Sequence, residues 1–408
     1  MKQNKRFFIL STGRCYNRDL DTENIINYLK LNGYSFVSDM SRADYIYITT
    51  CAVSKEAEDL AIKSIKKVLK MKNKNSKIIV GGCLPKINKK RLLNFDNVCT
   101  ISPRTIDKLD SILNAKIQFK KIKDSNLLKE KDLKFLDRFR IYLQDSKINK
   151  EFFRGLIYQV PFVIKNFGYK LNLSPTNKLY FIKISRGCKG NCSYCSIKFA
   201  IGKLKSKPIK RVIDEFERGL REGYKNFMLL SEDAGSYGLD SNTNIVELLR
   251  NIFDHKDDYS IRILSLNPDA LIRYFDELLP LIENNHKKIN FICVPLQSGS
   301  DRILRLMKRP YNIKQVENCL SALKIALKNG ELRTHIMVGF PGETKEDFQK
   351  TMQLIKKIRF DGMGVFTYSD RPNTEASKMK NKIPERIKLY RKVKLMLYYK
   401  ILRGLNLF

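Results

Sequence analysis

Short apolar runs alternate with longer amphipathic segments at the start of the chain, and this order predicts a parallel sheet. Runs rich in β-branched and aromatic residues cover Phe7–Leu10, Tyr45–Thr50 and Lys77–Gly82. Helical patterns lie between them, over Glu23–Leu31 and Lys55–Lys72. A β–α–β–α order favours parallel strands joined by helices. Because the carboxyl ends of such strands share one edge of the sheet, residues that follow the strands are expected to meet there.

The same alternation resumes near residue 179, where six strand-like runs are separated by helical segments of about ten to fifteen residues. The runs are Tyr180–Ser185, Asn226–Leu230, Ser260–Ser265, Ile289–Val294, Arg333–Val338 and Gly364–Tyr368. Six βα units suit an open or partial barrel whose chemistry gathers at the carboxyl ends of the strands. The pattern therefore predicts an α/β protein with two parallel-sheet units.

Composition adds a strongly basic character to this picture. The net charge of +36 over 408 residues attracts polyanions such as a tRNA backbone. Lysine is spread over nearly every predicted helix, however, so the charge favours RNA only modestly. No uninterrupted apolar stretch is long enough for a membrane span, and the first residues lack the apolar core of a secretory signal. We therefore expect a cytoplasmic protein.

Three cysteines, called here the compact cysteines, form a C-x3-C-x2-C motif on one loop: Cys188, Cys192 and Cys195. Three thiolates on a short loop can hold three irons of a [4Fe–4S] cube and leave the fourth iron open to a small molecule. A three-cysteine zinc site is the alternative, although none of the three histidines lies within fifty residues of the loop. The odd total of nine cysteines argues against disulfides.

Three further cysteines, called here the scattered cysteines, each follow a strand-like run of the first unit: Cys15, Cys51 and Cys83. At the carboxyl edge of a parallel sheet they would converge into a second three-thiolate site. Glycines at Gly13 and Gly81–Gly82 would let the backbone approach a bulky cluster. Each cysteine taken alone would more often be a small buried apolar residue.

The motifs around these cysteines resemble those of the radical S-adenosylmethionine methylthiotransferases. In the amino-terminal part the matching stretches are Thr12-Gly-Arg-Cys-Tyr-Asn17, Thr50-Cys-Ala-Val-Ser54 and Gly81-Gly-Cys-Leu-Pro-Lys86. In the second part they are Ser231-Glu-Asp-Ala-Gly-Ser-Tyr-Gly238, Val294-Pro-Leu-Gln-Ser-Gly-Ser-Asp301, Ile336-Met-Val-Gly-Phe-Pro-Gly-Glu-Thr344 and Tyr368-Ser-Asp-Arg-Pro-Asn-Thr374. The resemblance implies an amino-terminal parallel-sheet domain followed by a radical SAM partial (β/α)6 barrel.

That resemblance implies two [4Fe–4S] clusters, with S-adenosylmethionine as both radical source and methyl donor. The compact cysteines would hold the cluster that cleaves S-adenosylmethionine to a 5′-deoxyadenosyl radical. The scattered cysteines would hold the cluster that carries the inserted sulfur. The radical would take hydrogen from an unactivated carbon of the substrate, and that carbon would attack the methylated sulfur. Such an enzyme also needs a reducing partner, such as flavodoxin or ferredoxin, and a sulfur donor.

Several residues at the predicted strand ends suit a cofactor that is both nucleoside and amino acid. The candidates are Glu232 and Asp233 as acceptors, Ser298 and Ser300 as donors, Gly339 as a point of close approach, and Tyr194, whose ring would cover the adenine. For each of them, loop capping, turn formation or packing on the barrel is the alternative interpretation.

The predicted domains are residues 1–115 with the scattered cysteines, a linker or insertion over 116–178, the radical SAM core over 179–376 and a carboxyl-terminal basic helix over 377–408. Two of them depart from the family pattern. The insertion, with a predicted helix over 135–153 and an apolar stretch over 155–168, would be a substrate-binding element or a packed linker. The chain also shows no strand series for the carboxyl-terminal TRAM barrel that the family usually carries.

The carboxyl-terminal segment has apolar residues interleaved with lysines, at Ile387, Leu389, Val393, Leu397 and Ile401. Such an amphipathic helix is expected to place its apolar side against the core, and an RNA, membrane or partner surface is the alternative.

Within the family, the Gly-Cys-Leu-Pro and Ser-Glu-Asp-Ala-Gly-Ser-Tyr-Gly motifs are most similar to the archaeal and eukaryotic branch. That branch modifies N6-threonylcarbamoyladenosine beside the tRNA anticodon, so we expect tRNA as the substrate. An alternative keeps the chemistry but places it on a peptide or protein residue, such as one of a ribosomal protein. A third hypothesis is a non-catalytic iron–sulfur RNA-binding protein, against which the six intact cysteines argue.

Overall fold

A computed structural model describes residues 5–12, 15–128 and 179–404 of the chain. The predicted helix over 135–153, the apolar stretch over 155–168 and the glycine at position 13 lie outside the described residues.

The first sheet is entirely parallel, as the alternating pattern predicts. Its strands are β1 (Arg6–Ser11), β2 (Ser35–Phe36), β3 (Tyr45–Thr50), β4 (Lys77–Gly82) and β5 (Val98–Thr100). Its helices are α1 (Tyr16–Leu31), α2 (Lys55–Met71), α3 (Leu84–Ile87) and α4 (Lys108–Leu113). The strands lie in the order β2-β1-β3-β4-β5, so β3 is the central strand and β1 and β4 flank it.

Helices cover both faces of this sheet, which explains why its central strand is apolar on both sides. Every residue of β3 is buried. Ile48 faces a core cluster that holds Ile65 of α2, whereas Tyr47 faces a second cluster that holds Tyr28 of α1. The carboxyl edge of the sheet is thereby left as the place where loops and their side chains gather.

Six parallel strands form the second sheet and confirm the predicted α/β partial barrel. The strands of this part are β6 (Leu179–Lys183), β7 (Ser185–Arg186), β8 (Lys205–Ser206), β9 (Asn226–Leu230), β10 (Ser260–Ile263), β11 (Ile289–Cys293), β12 (Glu331–Val338) and β13 (Gly362–Thr367). The large sheet has the order β13-β12-β11-β10-β9-β6, and β7 pairs with β8 as a separate antiparallel hairpin. The described strand bounds differ from the predicted ones by two residues or fewer.

Most helices of this part pack on the outer face of the large sheet, whereas α5 places Ala200 in a core cluster of the first sheet. The helices are α5 (Ile197–Ile201), α6 (Ile209–Arg221), α7 (Ile245–Phe253), α8 (Pro268–Arg273), α9 (Phe275–Asn284), α10 (Asp301–Leu306), α11 (Ile313–Ala326), α12 (Lys345–Ile358) and α13 (Glu385–Gly404). The main core lies between sheet and helices. A smaller cluster inside the barrel contains Phe181, Met228 and Phe291, together with Leu20 of α1. The first unit therefore closes part of the barrel interior.

The carboxyl-terminal helix α13 packs against the barrel, but with a different side from the one expected. Its buried residues are Lys388, Arg391, Leu395 and Leu402. The predicted apolar stripe is exposed, at 60% for Leu389, 47% for Val393, 54% for Leu397 and 57% for Ile401. The expectation that this stripe faces the core is therefore wrong. The stems of Lys388 and Arg391 cover Tyr368 and Phe348 instead, with the charged groups 5.2 Å and 5.7 Å from the ring centroids.

The two units are joined by polar contacts as well as by the barrel cluster. A buried ion pair links Glu58 of α2 to Arg371 after β13. The Lys55 amide, at the start of α2, donates to Ser369 Oγ at 2.9 Å. Among the helices of the described ranges, none is both long and apolar enough to cross a membrane.

Candidate functional site

The compact cysteines lie on the loop between β7 and α5, at the carboxyl edge of the barrel sheet. The Gly190 amide donates to Cys188 Sγ at 3.0 Å. A Cβ atom at Gly190 would lie 3.1 Å from Cys188 Sγ and 3.8 Å from Cys192 Sγ. The glycine therefore leaves two of the three sulfurs facing one space, and its amide supplies a hydrogen bond that favours a negatively charged sulfur.

Burial disfavours the charged form of these thiols. It raises the pKa of Cys188 to about 12, and the nearby Asp233 carboxylate adds to the effect. Burial also raises the pKa of Cys195, although the Ile197 and Lys198 amides partly offset it. Iron binds the deprotonated thiolate, so these thiols lose their protons when iron binds. The positive charge of the iron ions offsets the unfavourable effect of burial on the thiolate.

Charges of opposite sign flank this loop. Asp233 Oδ2 lies 3.6 Å from Cys188 Sγ, and it also accepts from Ser236 Oγ at 2.6 Å. On the other side, Arg309 Nη1 donates to Cys192 Sγ at 3.4 Å. Sequence reasoning identified Asp233 but missed Arg309, because Arg309 lies 117 positions from Cys192. Its only local context is the end of α10 before Pro310, which is typical of a helix stop.

The scattered cysteines meet at the carboxyl edge of the first sheet, where the strand order predicts them. Cys15 directly precedes α1, Cys51 follows β3 and Cys83 follows β4. The Cys83 amide donates to the Thr50 carbonyl at 3.0 Å, which sets Cys83 beside Cys51. Burial is the main cause of the raised pKa of both thiols, about 12 for Cys83, and the nearby Cys15 raises both further.

The two glycines of this edge serve the sheet itself. A Cβ atom at Gly81 would overlap the Tyr47 hydroxyl, and one at Gly82 would overlap the Thr50 carbonyl oxygen. Gly82 also has φ of +90°, a conformation that favours glycine. Both positions therefore require glycine because strand β3 packs closely against them. A bound cluster is not needed to explain these two glycines.

A network of buried charges connects the two cysteine sites. Arg18 of α1 pairs with Asp21 at 2.8 Å and with Glu232 Oε1, in the loop after β9, at 3.1 Å. Glu232 Oε2 accepts from the Gly187 amide at 2.9 Å, directly before Cys188. Burial raises the pKa of Cys83, and Arg18 is the first influence that lowers it. Arg18 therefore favours the thiolate form of Cys83 in the scattered site, and Glu232 accepts a hydrogen bond from the loop of the compact cysteines. Both carboxylate oxygens of Glu232 thus have partners within the protein.

Three other predicted cofactor contacts also have partners within the protein. The Ser300 amide donates to Ser298 Oγ at 3.2 Å, and Ser300 Oγ donates to Asp347 Oδ1 at 2.6 Å. A Cβ atom at Gly339 would overlap the Lys388 side chain, so this glycine makes room for α13. The two serine contacts match the loop-capping interpretation, whereas Gly339 permits close packing of α13.

Tyr194 lies between the compact cysteines and the barrel wall. Its ring makes an edge contact with Phe340 at 6.3 Å between centroids, in a cluster that includes Met307 and Tyr368. Burial raises the pKa of Tyr194 well above its usual range, although Arg309 opposes the shift. The neutral ring is thus anchored on the loop after β12, and its role in covering adenine stays a prediction.

The surroundings of the compact cysteines fit a bulky, negatively charged group such as a [4Fe–4S] cluster. The space beside Gly190 and the charge of Arg309 suit such a bulky anion.

Unpaired polar atoms mark the junction between the two sites. Asn17 Oδ1, Ser185 Oγ and Ser231 Oγ are buried and have no hydrogen-bond partner among the residues that the structure describes. Ser185 and Ser231 follow the neighbouring strands β6 and β9, and Asn17 Nδ2 donates to the Ser231 carbonyl at 3.3 Å. Buried groups of this kind are normally satisfied by water or a polar ligand. They fit a polar cofactor such as S-adenosylmethionine beside the compact cysteines.

Comparisons with known proteins agree with this geometry. Residues 182–355 match the family described as Radical SAM superfamily, and residues 6–102 match Uncharacterized protein family UPF0004. A probable threonylcarbamoyladenosine tRNA methylthiotransferase from Methanocaldococcus jannaschii is 31% identical over 366 residues, which is 90% of this chain and 76% of the relative. The ribosomal protein uS12 methylthiotransferase RimO from Petrotoga mobilis is 32% identical over 396 residues, 96% of this chain and 81% of the relative.

Among solved structures, the radical S-adenosylmethionine methyltransferase TsrM from Kitasatospora setae has a TM-score of 0.59. The match covers 92% of this chain and 77% of that one at 11% identity, and it shows likeness in fold.

A six-stranded parallel sheet with three cysteines on a loop at its carboxyl edge defines a radical S-adenosylmethionine enzyme, and the superfamily model matches the same residues. Within that class, the chain belongs to the methylthiotransferase family, to which relatives at 31% and 32% identity belong. It is accordingly a transferase, and its family implies a [4Fe–4S] cluster and S-adenosylmethionine.

Proposed function

We propose that this enzyme carries two [4Fe–4S] clusters and adds a methylthio group to N6-threonylcarbamoyladenosine beside the tRNA anticodon. The observation that carries the two-cluster proposal is the pair of three-cysteine sites joined through Arg18 and Glu232. In this proposal residues 1–115 form the domain of the scattered cysteines and residues 179–376 the radical SAM core.

When bound, the clusters and S-adenosylmethionine supply the electron transfer, the radical, the sulfur and the methyl group. The chain's own groups hold and orient them. The compact and scattered cysteines are the iron ligands, and the Gly190 amide stabilises the charge on Cys188. The Asp233 carboxylate beside Cys188 is held by the Gly235 amide, Ser236 Oγ and Asn267 Nδ2, and its negative charge favours the ammonium of the methionine moiety nearby. The electron and the sulfur come from outside the chain, the electron from a flavodoxin or ferredoxin.

Helix α1 keeps the two sites together and limits water between them. Its Tyr16 packs on Phe181 of β6 at 5.2 Å between ring centroids, and Leu20 lies in the barrel cluster. Lys183 of β6 donates to Asp21 at 2.6 Å. A reactive carbon radical is protected when its site is closed to solvent, so this contact suits the proposed chemistry.

The tRNA substrate is supported by two observations. Relatives from several archaea carry that activity in their names. A groove of about 620 Å³ beside the Gly299 loop is lined by more basic than acidic residues, namely Arg302, Arg305, Lys314, Lys350 and Lys357 against Asp301 and Glu317. A second candidate, a residue of ribosomal protein uS12, is favoured by the RimO relative, which aligns over 96% of this chain.

The cluster proposal is tested by reconstitution. We expect about eight irons per chain in the native protein, and about four when the three compact or the three scattered cysteines are replaced by alanine. Deoxyadenosine should form only when the compact cysteines are intact. About four irons in the native protein would contradict the second cluster.

The substrate is tested by mass spectrometry of tRNA nucleosides from cells with and without the gene. Loss of the 2-methylthio form of N6-threonylcarbamoyladenosine is the expected result. An unchanged nucleoside profile, together with a lost mass increment on a ribosomal-protein peptide, would favour the second candidate instead.

A further inference from the structure

A buried arginine touches the compact site without a carboxylate to neutralise it. Arg309 follows α10 and is 9% exposed. Its Nη2 donates to the Pro295 carbonyl at 2.8 Å, and its Nε donates to Tyr311 Oη at 3.4 Å. Across the described ranges, no Asp or Glu forms an ion pair with this guanidinium.

Neither of these two partners balances the charge. The Pro295 carbonyl is neutral, and burial raises the pKa of Tyr311, so its phenol is neutral too. An isolated buried charge is costly, and proteins retain one where a partner of opposite sign is provided. Because these two contacts of the guanidinium are neutral, its remaining hydrogen bond is where a negatively charged partner has to lie.

That remaining contact is Cys192 Sγ, 3.4 Å from Arg309 Nη1. A neutral thiol is a weak acceptor and offers no charge, whereas a thiolate bound to iron offers both. In its oxidised state a [4Fe–4S] core with three thiolates carries one net negative charge, and reduction adds a second. The negative counter-charge that Arg309 lacks is therefore provided when the cluster is assembled. This negative charge increases when the cluster is reduced.

The guanidinium is also held rigidly. Tyr311 Oη donates to the Leu296 carbonyl at 2.6 Å, which fixes the ring against which Arg309 lies at 5.4 Å. The Arg309 amide donates to the Leu304 carbonyl at 2.9 Å. A fixed charge does not reorganise when the cluster changes state, so its full effect falls on the difference between the two states.

We propose that Arg309 is a positioning residue that supplies the counter-charge of the compact cluster, favouring its assembly and its reduced state. The proposal rests on the proposed function in requiring a cluster on the compact cysteines, but it needs no substrate. Positive charge and hydrogen bonds to cluster sulfurs raise a reduction potential. The electron comes from a low-potential flavin or iron–sulfur protein, or from dithionite in the test.

The test measures the midpoint potential of the compact cluster alone. In a chain with Cys15, Cys51 and Cys83 replaced by alanine, only this cluster contributes to the EPR signal of a redox titration. Arg309→Met should shift the midpoint to more negative potential in the absence of S-adenosylmethionine, and Arg309→Lys should restore most of the shift. The matched control is Lys189→Met, which removes an exposed positive charge from the same loop and should leave the midpoint unchanged.

Cluster loading gives a second readout if the methionine variant does not bind iron. Loss of iron in Arg309→Met with full loading in Arg309→Lys would support the proposal, because it would show that the charge is required. The proposal would be overturned if Arg309→Met had the same midpoint potential as the chain with Arg309. It would also be overturned if Arg309→Lys and Arg309→Met showed the same loss of iron or the same shift in midpoint potential. A midpoint that changes only after S-adenosylmethionine is added would also overturn it, by assigning the guanidinium to the methionine carboxylate. If the chain that retains Arg309 bound no iron at the compact cysteines, that result would contradict the proposed function rather than the role of Arg309.

Discussion

At the scale of single residues, the buried charges of α1 decide how the two units fit together. Arg18 is 3% exposed and neutralises both Asp21 and Glu232. Removing one partner of a buried pair leaves the other charge without compensation, which typically costs about 3–5 kcal/mol. The position was not singled out from sequence, because its partner Glu232 lies 214 residues away.

We expect Arg18→Met to lower the free energy of unfolding by about 3 kcal/mol or more, because Glu232 loses its ion-pair partner and Asp21 keeps only Lys183 and Arg186. The measurement is urea unfolding of the iron-free chain followed by circular dichroism. Arg6→Met is the matched control, since Arg6 pairs with Asp44 at a site where both side chains are about 40% exposed. Equal effects of the two substitutions would show that the Arg18 pairs contribute no more than surface pairs do.

Asp21 should make the stability of the chain depend on acid pH. Burial alone would raise the pKa of Asp21, but Arg18 and Lys183 outweigh it and hold the pKa well below the usual range. The carboxylate therefore contributes stability that is complete above the unfolded value of about 3.9 and is lost as the pH falls further. Asp21→Asn should be less stable than the native chain at pH 7, and the difference should shrink below pH 4. A difference that is constant between pH 7 and pH 3 would contradict this assignment.

At the scale of elements, nine of the thirteen described strands were predicted to within two residues, because a buried parallel strand is an apolar run bounded by polar turns. The short strands β2, β5, β7 and β8 were not predicted. The convergence of the scattered cysteines followed from the same rule, since each ends a strand of one sheet. The orientation of α13 did not follow. Its sequence carries two possible stripes, one through Leu389 and Val393 and one through Lys388, Arg391 and Leu395, and the aliphatic stems of the basic side chains make the second one the buried side.

This orientation can be checked with two leucines on the same helix. Leu395 is fully buried, whereas Leu397 is 54% exposed. We expect Leu395→Ala to lower the free energy of unfolding by about 2–5 kcal/mol, and Leu397→Ala to change it by less than about 0.5 kcal/mol. Thermal and chemical unfolding of the two variants provide the comparison. The reverse order would mean that the predicted stripe faces the core after all.

At the scale of the whole molecule, the fold could be predicted from the sequence, but the contacts between the two units could not. Glycine roles illustrate the reason. The sequence predicts Gly339 as a point of close approach for the cofactor, but in the structure the side chain that approaches it is Lys388 of α13, 49 residues further along the chain. A glycine in the sequence can indicate that a position has no room for a side chain, but only the tertiary structure shows which neighbouring residue occupies that space. The same limit applies to the substrate, which must be recognised by a surface rather than by a motif.

The basic groove beside the Gly299 loop offers such a surface, and it gives the last prediction. Arg302 and Lys357 in the groove are already paired, with Asp347 and Glu317, but none of the ion pairs in the described ranges involves Lys314 or Lys350. If tRNA lies there, Lys314→Glu with Lys350→Glu should weaken tRNA binding and lower the slope of log affinity against log salt by about two. Filter binding across a range of salt concentrations measures both quantities.

The matched control is Lys63→Glu with Lys66→Glu, two exposed lysines of α2 that change the net charge equally. If the overall charge of +36 alone attracts RNA, both double variants should weaken binding to the same degree, because the field of the whole molecule changes equally in each. A larger effect at the groove would instead assign phosphate contacts to it and strengthen the tRNA substrate. Equal effects would remove the groove from the case for tRNA and shift weight to the ribosomal protein.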